Sequence, residues 1–447
     1  MGQQKIVSQI TVILAYICEK FTNTEKMLAE FNVANFRSIK EKQTLSLMAA
    51  PISSREKVDK TNVFAAPDGV NLLKSIAIYG ANGSGKSNLI RALMKMMQFI
   101  DKAFQDETAV KTIEPFRLDA NYEHAPSHFE LVFYVGEKRY RYGFEVTEER
   151  ITAEWLFGPA KKNEVEYFTR LGDKIKVNKT SFKEGSRLET GVLRDSILFL
   201  NLAYALSGPV AKEIKEYFQN SMVITMGIND KHFNTLSRGM LADAKLNSEI
   251  IKLLKAADTG IQDLRNVDTD SLVIPGLEQS EEQKKLKDSE RKKVLMSIRE
   301  VKNTEDANPA RAFFFDTFES EGTKRLFAYA GAIVESLMDR TVFVVDELDA
   351  RLHPNLTRKI IELYNSNEYN PKNAQLIFAT HDINLLDPTL LRRDQIYFAE
   401  KNNAGETSIY SLVNIGGVRN DASYEKDYIK GKYGAVPFLG NFKGLAQ

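Results

Sequence analysis

The sequence is poor in cysteine, proline, tryptophan and net charge. Its 447 residues hold one cysteine, Cys18, so no disulfide can close within the chain, and a reducing, cytoplasmic setting is expected. Twelve prolines and 25 glycines are too few for an extensively disordered chain. The 61 Lys+Arg against 60 Asp+Glu leave a formal charge of +1. That argues against a globally basic nucleic-acid binder and is silent about local patches. The five histidines (His124, His128, His232, His353 and His381) have no cysteine beside them, so no structural zinc site is expected. No apolar run approaches the ~20 residues that span a bilayer. The longest early run, Val12 to Cys18, is too short and lacks a small-residue cleavage site, so no membrane role is expected.

What is there is an ordinary globular composition, 43% apolar and 27% charged, with length enough for a sizeable core and about two to four domains. Residues 1–26 read as an extension. It is either dispensable, from an upstream start, or an amphipathic helix docked on a partner. Strand patterns follow at 28–36, 45–48, 75–79, 129–134, 140–146, 151–157 and 165–170. From about residue 188 the texture turns helical, over 193–206, 210–218 and 241–257. Residues 277–303 read as a charged helix. Within 281–302 there are eight basic and five acidic residues, a net +3 that fits a solvated arm or a partner surface. Strands return at 312–315, 341–345, 375–379, 396–399 and 408–412, with helices at 323–338 and 355–364. Strand–helix alternation at both ends predicts one split α/β domain. Its N-terminal lobe is residues 27–187, a mainly helical insertion is 188–310, and its C-terminal lobe is 311–447.

The strongest motif is Gly80-Ala81-Asn82-Gly83-Ser84-Gly85-Lys86-Ser87, which fits G-x-x-x-x-G-K-[ST] between a strand and a helix. Glycines let backbone N–H groups approach phosphate oxygens, and the helix N-terminus adds partial positive charge. Gly80, Asn82, Gly83, Gly85, Lys86 and Ser87 are the expected nucleotide-binding residues. Lys86 would meet the β/γ-phosphates, and Ser87 would ligate Mg²⁺. The apolar run Val342 to Val345 delivers Asp346 and Glu347 to a strand's carboxyl end, where ligands sit in open α/β sheets. Asp346 would hold Mg²⁺, and Glu347 would orient or deprotonate a water. His381, after the strand 375–379, could sense a γ-phosphate. ATP and Mg²⁺ are the expected ligands.

Ser320-Glu321-Gly322-Thr323-Lys324 precedes the helix ahead of Asp346, and at this point the sequence resembles the ABC-type ATPases. In them a Ser- and Gly-bearing helix start reaches across a dimer to the other chain's γ-phosphate. The resemblance gives Ser320, Gly322 and Lys324 that trans role, although helix capping alone explains a serine there. Asp349 matches the dimer-contacting aspartate after the catalytic Glu. The run Asp346 to Pro354 resembles the D-E-x-x-x-x-L-H-P of RecF-, OLD- and RloA-like ATPases, as does Phe31 to Ile39, an F-x-V-x-N-F-R-S-I strand. Tyr428 to Pro437 resembles the RloA-like group. The glutamine that ABC-type domains place after the phosphate loop has no clear match. Gln98 lies within the first helix, and Glu114 to Asp119 is in roughly the right region.

The resemblance implies a P-loop ATPase of ABC type with an SMC- or RecF-like head, working as a homodimer or an assembly of dimers. RloA-like proteins imply prokaryotic defence against phage and mobile DNA with a separately encoded effector, a nuclease or a toxin. Two alternatives stand. One is a RecF- or SMC-like repair ATPase that binds nucleic acid. The other is an OLD-like ATPase with its own nuclease, disfavoured because only about 65 residues follow Asp382 and because Asp268-Thr269-Asp270 lacks a convincing strand before it.

Overall fold

Why the chain can bury its motif strand is plain from Ser75–Tyr79, a β-rich run with every residue buried. Such a strand needs cover on both faces and partners on both edges. In the computed structural model it lies inside a six-stranded sheet. The order is Met222–Thr225, Val342–Val345, Gln375–Ala379, Ser75–Tyr79, Ile396–Lys401, Thr407–Ser411. The first five strands are parallel, and the last returns antiparallel as a hairpin. The described residues are 25–103, 106–160, 163–188, 193–227, 231–268, 293–302, 310–419 and 422–437.

A second, seven-stranded sheet is antiparallel throughout. Its order is Lys174–Val177, Asn163–Leu171, Ile151–Ala160, Lys138–Val146, Ser127–Val135, Lys26–Ala34, Gln43–Ser46. Its inward residues alternate, with Phe129, Leu131 and Phe133 beside Tyr140, Tyr142 and Phe144. The helix Lys86–Lys102 turns Leu89, Ile90, Leu93, Met96 and Phe99 into one core shared by both sheets. Phe99 stacks on Phe144 with ring centroids 5.0 Å apart. Each such side chain contributes about 1.5–3 kcal/mol on burial. Gln375 joins the sheets directly: its amide accepts from Leu28 N at 2.8 Å and donates to Leu28 O at 3.0 Å.

By contacts the described residues form two units. One contains residues 25–227, 340–350 and 357–437. The other contains residues 231–339 and 351–356. The second unit carries the helices Lys231–Met240, Ala244–Ala256 and Glu321–Asp339, and a three-stranded antiparallel sheet of Asp263–Asp268, Lys293–Glu300 and Ala310–Phe314.

Three expectations are corrected here. The charged segment 277–303 is not a helix where it is described: Lys293–Glu300 is the central strand of the small sheet, burying Leu295, Met296 and Ser297. Val294, Leu295 and Ile298 suggested helical spacing, but pairing on both edges and β-branching decide for a strand. Residues 277–292 and 303 of that segment lie outside the described residues. Second, Asp268 does end a strand, Asp263–Asp268. The missing strand therefore no longer counts against the Asp268 carboxylate, and Asp270 lies outside the described residues. The expected helix at 193–206 begins only at Phe199. Among the described residues no helix is long and apolar enough to cross a membrane.

Candidate functional site

The carboxyl end of Ser75–Tyr79 turns sharply at Gly80, whose φ of +152° and tight packing leave no room for a side chain: a Cβ there would run into the Ala399 carbonyl. Asn82 and Gly83 form the exposed tip of the loop, and Ser84, Gly85 and Lys86 return into the protein. Lys86 Nζ donates to the carbonyls of Gly80 at 2.8 Å and Ala81 at 3.1 Å. Burial draws its pKa down to about 8, against the pull of Asp346, Glu347 and Asp349. Ser87, in the first helical turn, is half-buried.

The next strand across, Gln375–Ala379, hands on to Thr380 and His381, and the one beyond it, Val342–Val345, hands on to Asp346 and Glu347. Asp346 is 3% exposed, and its Oδ1 has no hydrogen-bond partner among the described residues. A buried carboxylate oxygen left open is costly unless a cation or donor completes it. Glu347 has a left-handed backbone, φ +58°. That conformation costs a non-glycine residue about 1–3 kcal/mol and clusters at functional sites. The turn is held by Leu348 N to Ala379 O at 3.1 Å and Ala350 N to Glu347 O at 3.1 Å. Asp349 Oδ1 accepts from His381 N at 3.3 Å. Withdrawal from solvent, then the charge of Lys86, lower the His381 pKa, so the imidazole is neutral at pH 7.

Thus one edge of one sheet gathers the phosphate loop, Asp346, Glu347, Asp349 and His381. The residues present suit Mg²⁺: an unpartnered Asp346 oxygen and a hydroxyl, Ser87, both hard oxygen donors. A family model described as "AAA domain, putative AbiEii toxin, Type IV TA system" matches residues 75–387. The chain belongs to this AAA family of P-loop ATPases. No curated protein matches it. Solved structures similar to it include an SmcHead bound to the C-winged helix domain of ScpA, at 13% identity and TM-score 0.44, covering 86% of this chain and 97% of that one. Another is the SMC head domain from Thermotoga maritima, at 16% identity and TM-score 0.38, covering 86% and 98%. A third is the Smc head domain with an extended coiled coil, bound to the C-terminal domain of ScpA derived from Pyrococcus furiosus, at 12% identity and TM-score 0.37, covering 86% and 96%.

In this AAA-family chain Ser320, Gly322 and Lys324 belong to the other unit, at the start of Glu321–Asp339. Ser320 Oγ accepts from Thr323 N at 3.1 Å, so the capping role is present. Lys324 pairs with Glu321 at 3.0 Å, and a Cβ on Gly322 would press on the Arg351 carbonyl at 2.9 Å. Ser320 remains exposed at the surface. Gln98 is exposed on its helix. The stretch at 114–119 is tied to the first motif segment, with Arg37 N on Glu114 O at 2.8 Å and Phe116 N on Asn35 Oδ1 at 2.9 Å.

Sequence reasoning missed two contributors. Met222–Thr225 flanks the Asp346 strand, and Asp346 N donates to Thr225 O at 3.2 Å. The β-rich run Met222 to Thr225 was the signal, obscured by the helices before it. Thr407 and Ser38 meet behind the phosphate loop, which no local pattern could announce.

Proposed function

We propose that this chain is an ATP-binding and ATP-hydrolysing switch, the sensor or regulator ATPase of a prokaryotic defence against phage or mobile DNA, acting with a separately encoded effector. The observation that carries the switch reading is the buried, unpaired Asp346 oxygen beside a strained Glu347 and within the field of Lys86. The family description, with its toxin and its two-component system, supports an effector of nuclease or toxin type.

In this mechanism Lys86 exchanges the Gly80 and Ala81 carbonyls for phosphate oxygens, a pairing of opposite charges that also restores its full charge. Mg²⁺ held by Ser87 and Asp346 would neutralise charge on the phosphates. Glu347 orients the attacking water and takes its proton. His381 donates an N–H toward the γ-phosphate. Ser320, Gly322 and Lys324 of a second copy approach the same phosphate, so nucleotide holds two copies together and hydrolysis releases them. Asp349 sits where the two copies would meet.

The test is Glu347→Gln. The variant should bind ATP with near-normal affinity, hydrolyse it at least about 100-fold more slowly and accumulate as a larger assembly on a sizing column with ATP. Hydrolysis at the wild-type rate would refute the role of Glu347. If the trapped assembly binds DNA with no second protein, the repair-clamp reading replaces the defence reading.

A further inference from the structure

Behind the phosphate loop, three side chains from three distant segments run in a line to one loop carbonyl. Asn88 Nδ2, on the helix, lies 2.7 Å from Ser38 Oγ. Ser38, in the turn after the first strand, lies 2.8 Å from Thr407 Oγ1. Thr407, at the mouth of the last hairpin, lies 2.9 Å from the carbonyl oxygen of Ser84. All four residues belong to one unit. Ser38, Ser84 and Thr407 are 9%, 4% and 2% exposed, so water does not compete for these bonds.

A carbonyl only accepts, so Thr407 is the donor to Ser84 O. The same hydroxyl also lies as donor toward Ser38 Oγ, so its one proton is shared between the two, and Ser38 accepts from the Asn88 amide as well. Ser38, itself held by Asn88, thereby keeps the Thr407 side chain in the rotamer that reaches Ser84 O.

Ser84 O depends on this donor. The helix does not reach it, because Asn88 N and Leu89 N both bond Gly85 O, at 2.9 and 3.1 Å. Among the described residues no backbone N–H reaches Ser84 O. In a trans peptide the C=O and the following N–H point in opposite directions, and the described residues have no cis bond. Holding Ser84 O back against Thr407 therefore aims Gly85 N–H the other way, out of the loop. Thr407 also packs flat on Gly85, where a Cβ would collide with its side chain. Thr407 is itself fixed: its N donates to Ser38 O at 2.7 Å, and its neighbour Glu406 pairs with Lys40 at 2.9 Å.

We propose that Thr407 is a positioning residue for the phosphate loop: its hydroxyl, oriented by Ser38 and Asn88, sets the Ser84–Gly85 peptide so that Gly85 N–H faces the phosphates. The inference rests on the reading that this loop takes a nucleotide.

Thr407→Val keeps the shape and removes the hydroxyl. In the full-length protein it should raise the Kd for Mg·ATP about tenfold, which is about 1.4 kcal/mol. Tripolyphosphate, which has no base or sugar, should lose the same factor, because the loop reads phosphate. Thr407→Ser, which keeps the hydroxyl, should stay within about twofold of the wild type. Ser38→Ala should cost less than Thr407→Val, since Thr407 can still donate to Ser84 O, and the double variant should bind no more weakly than Thr407→Val alone. The unfolding midpoint of each is read alongside.

Unchanged ATP affinity in Thr407→Val overturns the proposal. So does an equal loss in Thr407→Ser, or a loss for ATP that tripolyphosphate does not share. If Thr407→Val does not fold, Thr407→Ser and Ser38→Ala decide: the proposal falls if Ser38→Ala binds as tightly as the wild type. Lys86→Ala separates the two failures. If it also keeps its affinity, the nucleotide reading itself has failed. If it loses affinity while Thr407→Val does not, only the positioning role has failed.

Discussion

Two buried carboxylates in the same unit, Glu154 and Asp346, differ in one respect that separates structure from function. Glu154 has no exposed surface, and its oxygens accept from Phe199 N at 2.6 Å, Leu200 N at 3.0 Å and the Tyr142 hydroxyl at 2.9 Å. Arg170 stands near enough to favour its charge, while burial raises its pKa. Asp346 is almost as deeply buried, yet one of its oxygens has no partner among the described residues. A folded protein completes the carboxylates that build it. Of these two, Asp346 is the one left incomplete, at the carboxyl edge of a parallel sheet, where an incoming cation would complete it.

The comparison breaks most visibly at the amine of Lys86, which feels the charge of Asp346. Lys86→Ala should raise the Kd for ATP by about 100-fold or more while leaving the unfolding midpoint unchanged or higher, because it deletes a buried cation whose hydrogen bonds go to two neutral carbonyls; calorimetric titration beside a thermal melt reads both. The same amine sets a pH dependence. Its pKa without ligand is near 8, and a bound phosphate raises it, so affinity is full below pH 8 and declines as pH rises through that value. A flat affinity from pH 7 to 9 would remove Lys86 from the phosphates.

Next comes the complete side. Glu154→Ala strands two backbone N–H groups and the Tyr142 hydroxyl and leaves Arg170 uncompensated, so chemical denaturation should show a loss of about 3–5 kcal/mol. The fraction that stays folded should bind ATP as before. Asp346→Asn should invert that pattern: stability within about 1 kcal/mol of the wild type, but Mg²⁺-dependent ATP turnover abolished. If Asp346→Asn destabilised as much as Glu154→Ala, the two carboxylates would be alike and the distinction would dissolve. The smallest effect belongs to Glu347→Gly. Glycine accepts φ +58° without strain, so the melt should move up by the equivalent of less than about 1 kcal/mol even as hydrolysis is lost.

Much of this site could be read from residues alone because its chemistry is local. The loop from Gly80 to Ser87, the apolar run into Asp346 and Glu347, and the strand into His381 each declare themselves within ten residues. The strand bounds follow too, since Ser75–Tyr79 and Gln375–Ala379 are bracketed by turn residues and buried throughout. Of the small sheet of the second unit, only the strand expected at 312–315 was legible. Lys293–Glu300 is flanked by lysines and carries apolar residues at positions that suit a helix as well as a strand, and only its pairing with Asp263–Asp268 and Ala310–Phe314 decides. Thr407 was invisible for the opposite reason. Its role depends on Ser38, 369 positions away, and on a loop 323 positions away. Asn35 and Arg37, with φ +49° and +51°, show that the F-x-V-x-N-F-R-S-I segment encodes a kinked turn as well as a strand.

The strand that ends in the phosphate loop waits a long time for its neighbours. Both of them, Gln375–Ala379 and Ile396–Lys401, come from the far end of the chain, roughly 300 residues after Tyr79. At about 5–20 residues per second of synthesis, that is an interval of about 15–60 s in which a strand destined for complete burial has emerged from the ribosome with neither edge paired. The loop cannot take its final shape before the last hairpin arrives to close behind it. A chain cut short before that hairpin lacks Thr407 behind the loop and the strand Ile396–Lys401 beside it, and should bind nucleotide weakly and aggregate.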